Sequence, residues 1–246
     1  MAHSLENQKV LVTGGSSGIG FAIAELLKQR GAEVAINGRD LNKLDAASQT
    51  LKVHALQGDV GDEKDAVHIV AQAHEAMGGL DVLINNAGWG YIAPLLQMEA
   101  DKFEAMWRTN VLGATLMARE AAKVFVEQGH GDIVNVASTS ALRGSPNASG
   151  YNATKFALRG MTEAWRGELR EHNIRVMLVN PSEVMTHFAN NVQSPLERPD
   201  KKIYTEKEQQ TKLRADEIAH TVVSMLEMDR RGFVTEATVF ATNPQK

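Results

Sequence analysis

Tyr151 and Lys155 stand four positions apart, and Ser138 lies thirteen positions before the tyrosine. On a helix, positions i and i+4 stack on one face, so the phenol and the ammonium point into one cleft. A free tyrosine titrates near pH ~10, too high for acid or base work at neutral pH. A cation held beside it favours the phenolate and lowers that value. A hydroxyl such as that of Ser138 then hydrogen-bonds a substrate oxygen as the oxygen gains or loses a proton. Such a set is equipment for proton transfer at a carbonyl or an alcohol. The same pair also arises on any solvated helix face, so its meaning depends on what positions it.

Those elements are legible from the start of the chain. Residues 9–13 are short, β-branched and apolar, the pattern of a strand buried on both faces. Gly14, Ser16, Ser17, Gly18, Ile19 and Gly20 follow, and then apolar residues at helical spacing until Gly31 ends the helix. Strand, glycine-rich turn and helix is the context of a nucleotide-phosphate cradle. Glycines let the backbone approach a pyrophosphate, and free N–H groups at the helix start attract its charge. The second strand, 33–37, ends at Gly38-Arg39-Asp40. A dinucleotide fold places there an acid for the adenosine ribose or an arginine for a 2′-phosphate. Arg39 after a small residue suits the phosphate, which favours NADP(H) and leaves NAD(H) possible. Asp40 is either the ribose acid or a solvent partner of Arg39.

The alternation continues with helices over 40–50 and 62–77 and strands over 53–57 and 81–85. Asn85-Asn86-Ala87-Gly88 then stands at the carboxyl end of a strand, where open α/β sheets bind ligands. Trp89 and Tyr91 follow, as pocket wall or as core. Residues 100–128 read as one long helix with Asn110 inside it, a poor helix residue that signals a bend or a buried polar role. A strand at 132–138 delivers Ser138, a helix over 151–172 carries Tyr151 and Lys155, and a strand at 174–180 leads to Pro181. From 182 to 213 the pattern breaks into charge and proline, and we read a mobile substrate lid. A helix at 215–228 and a strand at 235–242 close a single dinucleotide-binding domain.

Composition narrows the class. The chain has 246 residues, no cysteine and a formal charge of -4. That removes thiolate chemistry and argues against nucleic acid or an anionic membrane as partner. Eight histidines are scattered without metal-ligand spacing, so no metal is expected; His187 alone lies near the lid. The first residues carry no apolar signal core, and the expected setting is cytoplasmic.

Together these residues resemble the short-chain dehydrogenase/reductase family over nearly the whole chain. The motifs are Thr13-Gly14-x-x-x-Gly18-Ile19-Gly20, Asp59-Val60, Asn85-Asn86-Ala87-Gly88, Ser138 and Tyr151-x-x-x-Lys155, with Asn110 as the family's fourth catalytic position. The resemblance implies a Rossmann-like α/β fold, doubly wound, with a seven-stranded, mainly parallel sheet. It assigns Tyr151 as general acid in reduction and Ser138 as the group that orients the substrate oxygen. Lys155 would depress the tyrosine pKa and hold the nicotinamide ribose, and Asn110 would hold a water leading to solvent. Asp59 and Val60 would meet the adenine; Asn86, Ala87 and Gly88 would line the ribose; Arg39 would face the 2′-phosphate. Pro181, Val184 and Thr186 would hold the nicotinamide. Family members are often homo-oligomers that pair the helices 100–128 and 151–172.

Two departures bear on this. Ser182 stands where the family has glycine, which can alter the backbone path beside the nicotinamide. The end of the chain lacks the Val-Asp-Gly-Gly of 3-oxoacyl reductases and looks more like the branch of 3-hydroxy-acid dehydrogenases and sepiapterin-reductase-like enzymes. The expected function is NADP(H)-dependent interconversion of a small-molecule carbonyl and a secondary alcohol. The alternative is a non-catalytic NADP-sensing regulator, which has no need of Ser138, Tyr151, Lys155 and Asn110 together. Trp89, Tyr91, Leu142, Met185 and Phe188 suggest a partly apolar substrate pocket, and Lys201 and Lys202 are either a lure for an acidic substrate or a solvated face.

Overall fold

The computed structural model describes residues 3–186, 188–196 and 203–242, so His187, Lys201 and Lys202 lie outside the described residues. Strands β1 (Lys9–Thr13), β2 (Glu33–Gly38), β3 (His54–Gln57), β4 (Val82–Asn85), β5 (Gly131–Val136) and β6 (Ile174–Pro181) alternate with helices. These helices are α1 (Gly18–Gln29), α2 (Leu41–Leu51), α3 (Glu63–Met77), α4 (Ala100–Trp107), α5 (Ala114–Gln128) and α6 (Ser149–Leu169). Beyond β6 come β7 (Val184–Met185), α7 (Phe188–Asn191), α8 (Glu206–Thr211), β8 (Leu213–Arg214), α9 (Ala215–Leu226) and β9 (Glu236–Val239).

The main sheet has seven strands in the order β3-β2-β1-β4-β5-β6-β9, and every neighbouring pair is parallel. A parallel sheet needs apolar cover on both faces. β1 supplies it by alternation: Val10 and Val12 pack with α1 and α9, whereas Leu11 packs with α3 and α5 on the other face. Burying one such side chain is worth about 1.5–3 kcal/mol. From β1 the chain winds outward through β2 and β3, then returns to set β4 on the other side of β1. That reversal opens a crevice at the carboxyl ends of β1 and β4.

The expected single helix over 100–128 is interrupted. α4 and α5 are joined by a π-turn, Arg108–Gly113, with Asn110 buried inside it. The asparagine side chain bonds outside the helix, and the wider turn accommodates that. Gly113 packs on Val60, where a Cβ would stand 2.7 Å from Val60 Cγ2. α6 starts at Ser149, so Tyr151 lies in its first turn, and it ends at Leu169 before a 3₁₀ turn, Arg170–His172.

At the opposite end of the sheet, Arg175 and Asp132 are both buried and paired through two contacts of 2.7 and 2.6 Å. Arg175 also donates to the carbonyls of Leu226 and Met228 at the end of α9. One guanidinium thus ties β5, β6 and the negative end of a helix together.

Candidate active site

The glycine turn after β1 is shaped by contacts that no side chain permits. Gly14 has φ +62 and Gly18 φ +59, the left-handed region that glycine enters freely. A Cβ on Gly20 would lie 2.4 Å from the Gly14 carbonyl oxygen and 2.5 Å from Asn86 Nδ2. Asn86 is the clamp here: its amide donates to the carbonyls of Thr13 and Gly14 at 3.0 and 3.2 Å. Thr13 Oγ1 accepts from the N–H groups of Asn86 and Ala87, both at 3.0 Å, which locks the end of β4 to the turn.

Ser17 is the N-cap of α1 but makes no side-chain cap, and the first helical turn holds no acid. Among the described residues, the N–H groups of Gly18 and Ile19 find no acceptor. Open donors at a positive helix end, behind a backbone kept bare by glycine, fit a dinucleotide pyrophosphate.

At the adenosine side, Ser16 Oγ lies 3.4 Å from where a Gly38 Cβ would stand. Arg39 is largely exposed and pairs with Asp59 at 3.6 Å. Of the two roles open to Asp40, the pairing with Arg39 is not the one found: Asp40 caps α2 by accepting from the Lys43 N–H and pairs with the Lys43 ammonium at 3.5 Å. Those cap bonds hold its carboxyl below the usual range. Val60 is buried against the core, so only its main chain can meet a ligand.

Ser138, Tyr151, Lys155 and Asn110 come together at the carboxyl ends of β4 and β5. Ser138 follows β5, accepts from the Ser140 N–H at 3.1 Å and reaches the Tyr151 hydroxyl. Lys155 is buried, donates to the Val136 carbonyl at 3.2 Å and lies 5.8 Å from the centre of the Tyr151 ring. Asn110 accepts from the Trp89 N–H at 3.0 Å and donates to the Trp89 carbonyl at 2.9 Å and to Thr154 Oγ1 at 3.2 Å. A Cβ on Gly88 would stand 3.1 Å from Asn110 Oδ1 and 3.9 Å from Lys155 Nζ. Glycine therefore lets both groups close on the strand end.

Burial dominates the electrostatics of the pair. Burial pushes the Tyr151 phenol up to about 12, and the hydrogen bond with Ser138 is what opposes it. Burial also brings the Lys155 ammonium down to about 8. Lys155 bonds to Val136 and sits off the ring, and burial disfavours charge on both groups.

Tyr91 is not pocket wall. It is 1% exposed, and its hydroxyl bonds to Glu99 and to the Gln97 carbonyl. Trp89 is half-buried against the Tyr91, Ala93 and Met106 cluster on which Tyr151 also packs, its indole on Thr109 Oγ1. Phe188 of α7 sets its ring 5.9 Å from that of Tyr151. The stretch after α7 pairs with the loop after β4, through Gln193 N–H to the Gly90 carbonyl at 2.9 Å and Ile92 N–H to the Gln193 carbonyl at 3.0 Å. Ser182 has an ordinary backbone and donates its N–H to the Val239 carbonyl at 2.9 Å, so nothing in its conformation calls for glycine. Asn152, between Tyr151 and Lys155, belongs to none of the sequence motifs. It is buried and donates to the carbonyls of Ser140 and Arg143, fastening the Ser138 loop to α6. An asparagine inside a helix was the signal, as with Asn110.

Comparison with known proteins agrees with this arrangement. The family model for short chain dehydrogenase matches residues 8–197. A glucose 1-dehydrogenase from Gluconobacter oxydans is 38% identical over 186 residues, 73% of this chain and 70% of that protein. A 3alpha-hydroxysteroid dehydrogenase from Mediterraneibacter gnavus is 34% identical, covering 74% of this chain and 76% of that one. The crystal structure of a short chain dehydrogenase from Burkholderia cenocepacia in complex with NADP superposes with a TM-score of 0.83 at 28% identity, covering 97% of this chain and 98% of that one. The chain belongs to the short-chain dehydrogenase family and is an oxidoreductase of CH–OH groups that works with a nicotinamide cofactor.

Proposed function

We propose that the protein is an NADP(H)-dependent enzyme that interconverts a carbonyl and a secondary alcohol, with Tyr151 as the proton donor in reduction. The observation that carries the reading is the meeting of Ser138, Tyr151 and Lys155 beside the open start of α1. The dinucleotide supplies the hydride; alignment and the proton come from the chain. With its pKa up at about 12, the Tyr151 phenol is protonated at neutral pH. It can still donate to an alkoxide-like oxygen, which is the stronger base, so the site is charged for reduction. Ser138 hydrogen-bonds the same oxygen and sets its direction. Lys155 would hold a ribose hydroxyl, and Asn110 bonds to Trp89 and Thr154 beside it.

NADP(H) is proposed over NAD(H) because of Arg39. Its pair with Asp59 is long and solvated, an interaction worth about 0–1 kcal/mol, and is readily exchanged for a doubly charged phosphate. We further take residues 182–213 as a substrate cover within one catalytic domain, supported by the pairing of Gln193 with Gly90 and Ile92 and by Phe188 on Tyr151. Phe188, Trp89, Leu142 and Met185 would give an uncharged carbonyl compound a mostly apolar wall. Exposed Leu112 and Phe156 on the π-turn and α6 support a homo-oligomer joined through these helices.

The test measures NADPH and NADH affinity by fluorescence titration together with turnover, for Tyr151→Phe and Arg39→Ala. Tyr151→Phe is expected to keep NADPH binding and lose NADPH oxidation over a panel of ketones and aldehydes. Arg39→Ala is expected to weaken NADPH toward the NADH value. Unchanged turnover in the first variant overturns the catalytic reading, and unchanged preference in the second overturns the cofactor choice.

A further inference from the structure

Val184 and Thr186, which the family resemblance sets at the nicotinamide end of the crevice, lie on, and directly after, a ribbon too short to hold itself. β7 has two residues and, among the described residues, pairs only with the two residues of β8, Val184 with Leu213 and Met185 with Arg214. A ladder of this length is marginal alone. What adjoins it is unusual for a surface segment. Lys212, immediately before β8, is only 10% exposed at its side chain. Its ammonium pairs with Glu183, immediately before β7, and with Glu208 of α8 at 3.1 Å. It also stands 5.6 Å from the centre of the Tyr204 ring.

Tyr204 in turn touches the segment that matters. Burial raises its pKa, while Lys212 and a hydrogen bond from the Thr186 main-chain N–H pull it back. On its other side Thr186 abuts the cradle: a Cβ on Gly18 would stand 3.5 Å from Thr186 Cβ and Cγ2. Behind the ribbon, Leu213 is buried in the core cluster that contains α9 and α1. Thr186 is therefore located by the phosphate turn from one side and by the Lys212 cluster from the other.

Resting on the cofactor reading above, we propose that Lys212 is a positioning residue for the nicotinamide half of the dinucleotide. By pinning Glu183, Glu208 and Tyr204 across the β7–β8 ribbon, it holds Val184 and Thr186 at the mouth of the cradle. It touches no reacting atom. It would act on the nicotinamide half, because its partners Glu183, Glu208 and Tyr204 adjoin Val184 and Thr186, whereas the adenosine half would be held by the α1 turn, Ser16 and Arg39.

The experiment measures affinity of the full-length protein for NADPH and for 2′-phospho-ADP-ribose, which lacks the nicotinamide, in wild type, Lys212→Met, Lys212→Arg and Glu183→Gln. Glu183 is 63% exposed at its side chain, so its variant folds whatever becomes of Lys212→Met. The expected result is NADPH affinity weakened by about tenfold, the equivalent of about 1.4 kcal/mol, in Lys212→Met and by less in Glu183→Gln. Fragment affinity is expected within about twofold of wild type, with Lys212→Arg in between, since it keeps the charge. Equal weakening of both ligands, alongside a lower melting temperature, overturns the proposal, because Lys212 then serves only the fold. Unchanged NADPH affinity in both variants overturns it as well. If wild type binds neither ligand, the cofactor reading fails first and takes this one with it.

Discussion

Lys155→Met isolates what the buried ammonium does to the fold. The lysine is 6% exposed, and burial alone lowers it from 10.5 to about 8. At about 1.4 kcal/mol per pH unit, that fall corresponds to a native-state penalty of about 3 kcal/mol at pH 7. Methionine removes the charge at similar length. It also removes the hydrogen bond to the Val136 carbonyl, which contributes about 1 kcal/mol. The variant should therefore be about 2 kcal/mol more stable than wild type at pH 7, while turnover is lost.

The pH dependence gives the prediction its edge. Below pH 8 the lysine carries its proton in both the native and the unfolded chain, and the penalty stands in full. Between about 8 and 10.5 the unfolded chain binds more protons than the native one, so wild-type stability rises with pH. The variant has no such group, and its advantage should vanish by about pH 10. Tyr151 acts with the opposite sign: from pH 10 upward the native phenol keeps a proton that the unfolded one has lost, and stability falls toward pH 12. It is present in both proteins and drops out of the difference. Urea unfolding of both proteins at pH 7, 8.5 and 10 reads this directly. A variant less stable at pH 7, or a difference that does not change with pH, would refute a penalty from buried charge.

Two further outcomes test the frame around the site. Arg175→Leu leaves Asp132 buried with only Arg230, at 3.4 Å, and should destabilise the protein by about 3–5 kcal/mol in urea unfolding, with dinucleotide affinity of the folded protein unchanged because the lock lies at the far end of the sheet. Gly20→Ala drives a Cβ to 2.4 Å from the Gly14 carbonyl oxygen and should weaken dinucleotide binding by more than about tenfold, whereas Gly167→Ala, in open space on α6, should raise stability by up to about 1 kcal/mol and leave binding alone.

The parts of this molecule that read correctly from sequence are those in which local chemistry and global position coincide. The turn at Gly14, Gly18 and Gly20 is glycine because its backbone conformation and close contacts require it, and the strand-turn-helix order follows from period and composition. Asn110 was legible as an anomaly: a poor helix residue inside a helical pattern marked the π-turn, though not its extent. Tyr91 was ambiguous because an aromatic after a binding turn is equally at home in a core, and only the hydroxyl's bonds to Glu99 and Gln97 decide the matter. Lys212 was invisible. Its partner Glu183 is twenty-nine residues away, and only the β7–β8 pairing brings the two together.

The Tyr151–Lys155 pair shows why spacing does not settle electrostatics. Four residues on a helix place the side chains on one face, and in water that closeness would favour phenolate beside ammonium. In this crevice both groups are desolvated, and the loss of hydration sets the direction of each: Tyr151 goes up to about 12 and Lys155 comes down to about 8. At neutral pH the result is a phenol that still holds its proton and a lysine that is mostly charged. A general acid needs the first, and an orienting cation for ribose hydroxyls needs the second. Among the described residues, Ser138 is the neighbour whose hydrogen bond pulls the phenol downward, so on the reading proposed above it would tune the acid as well as aim the substrate oxygen.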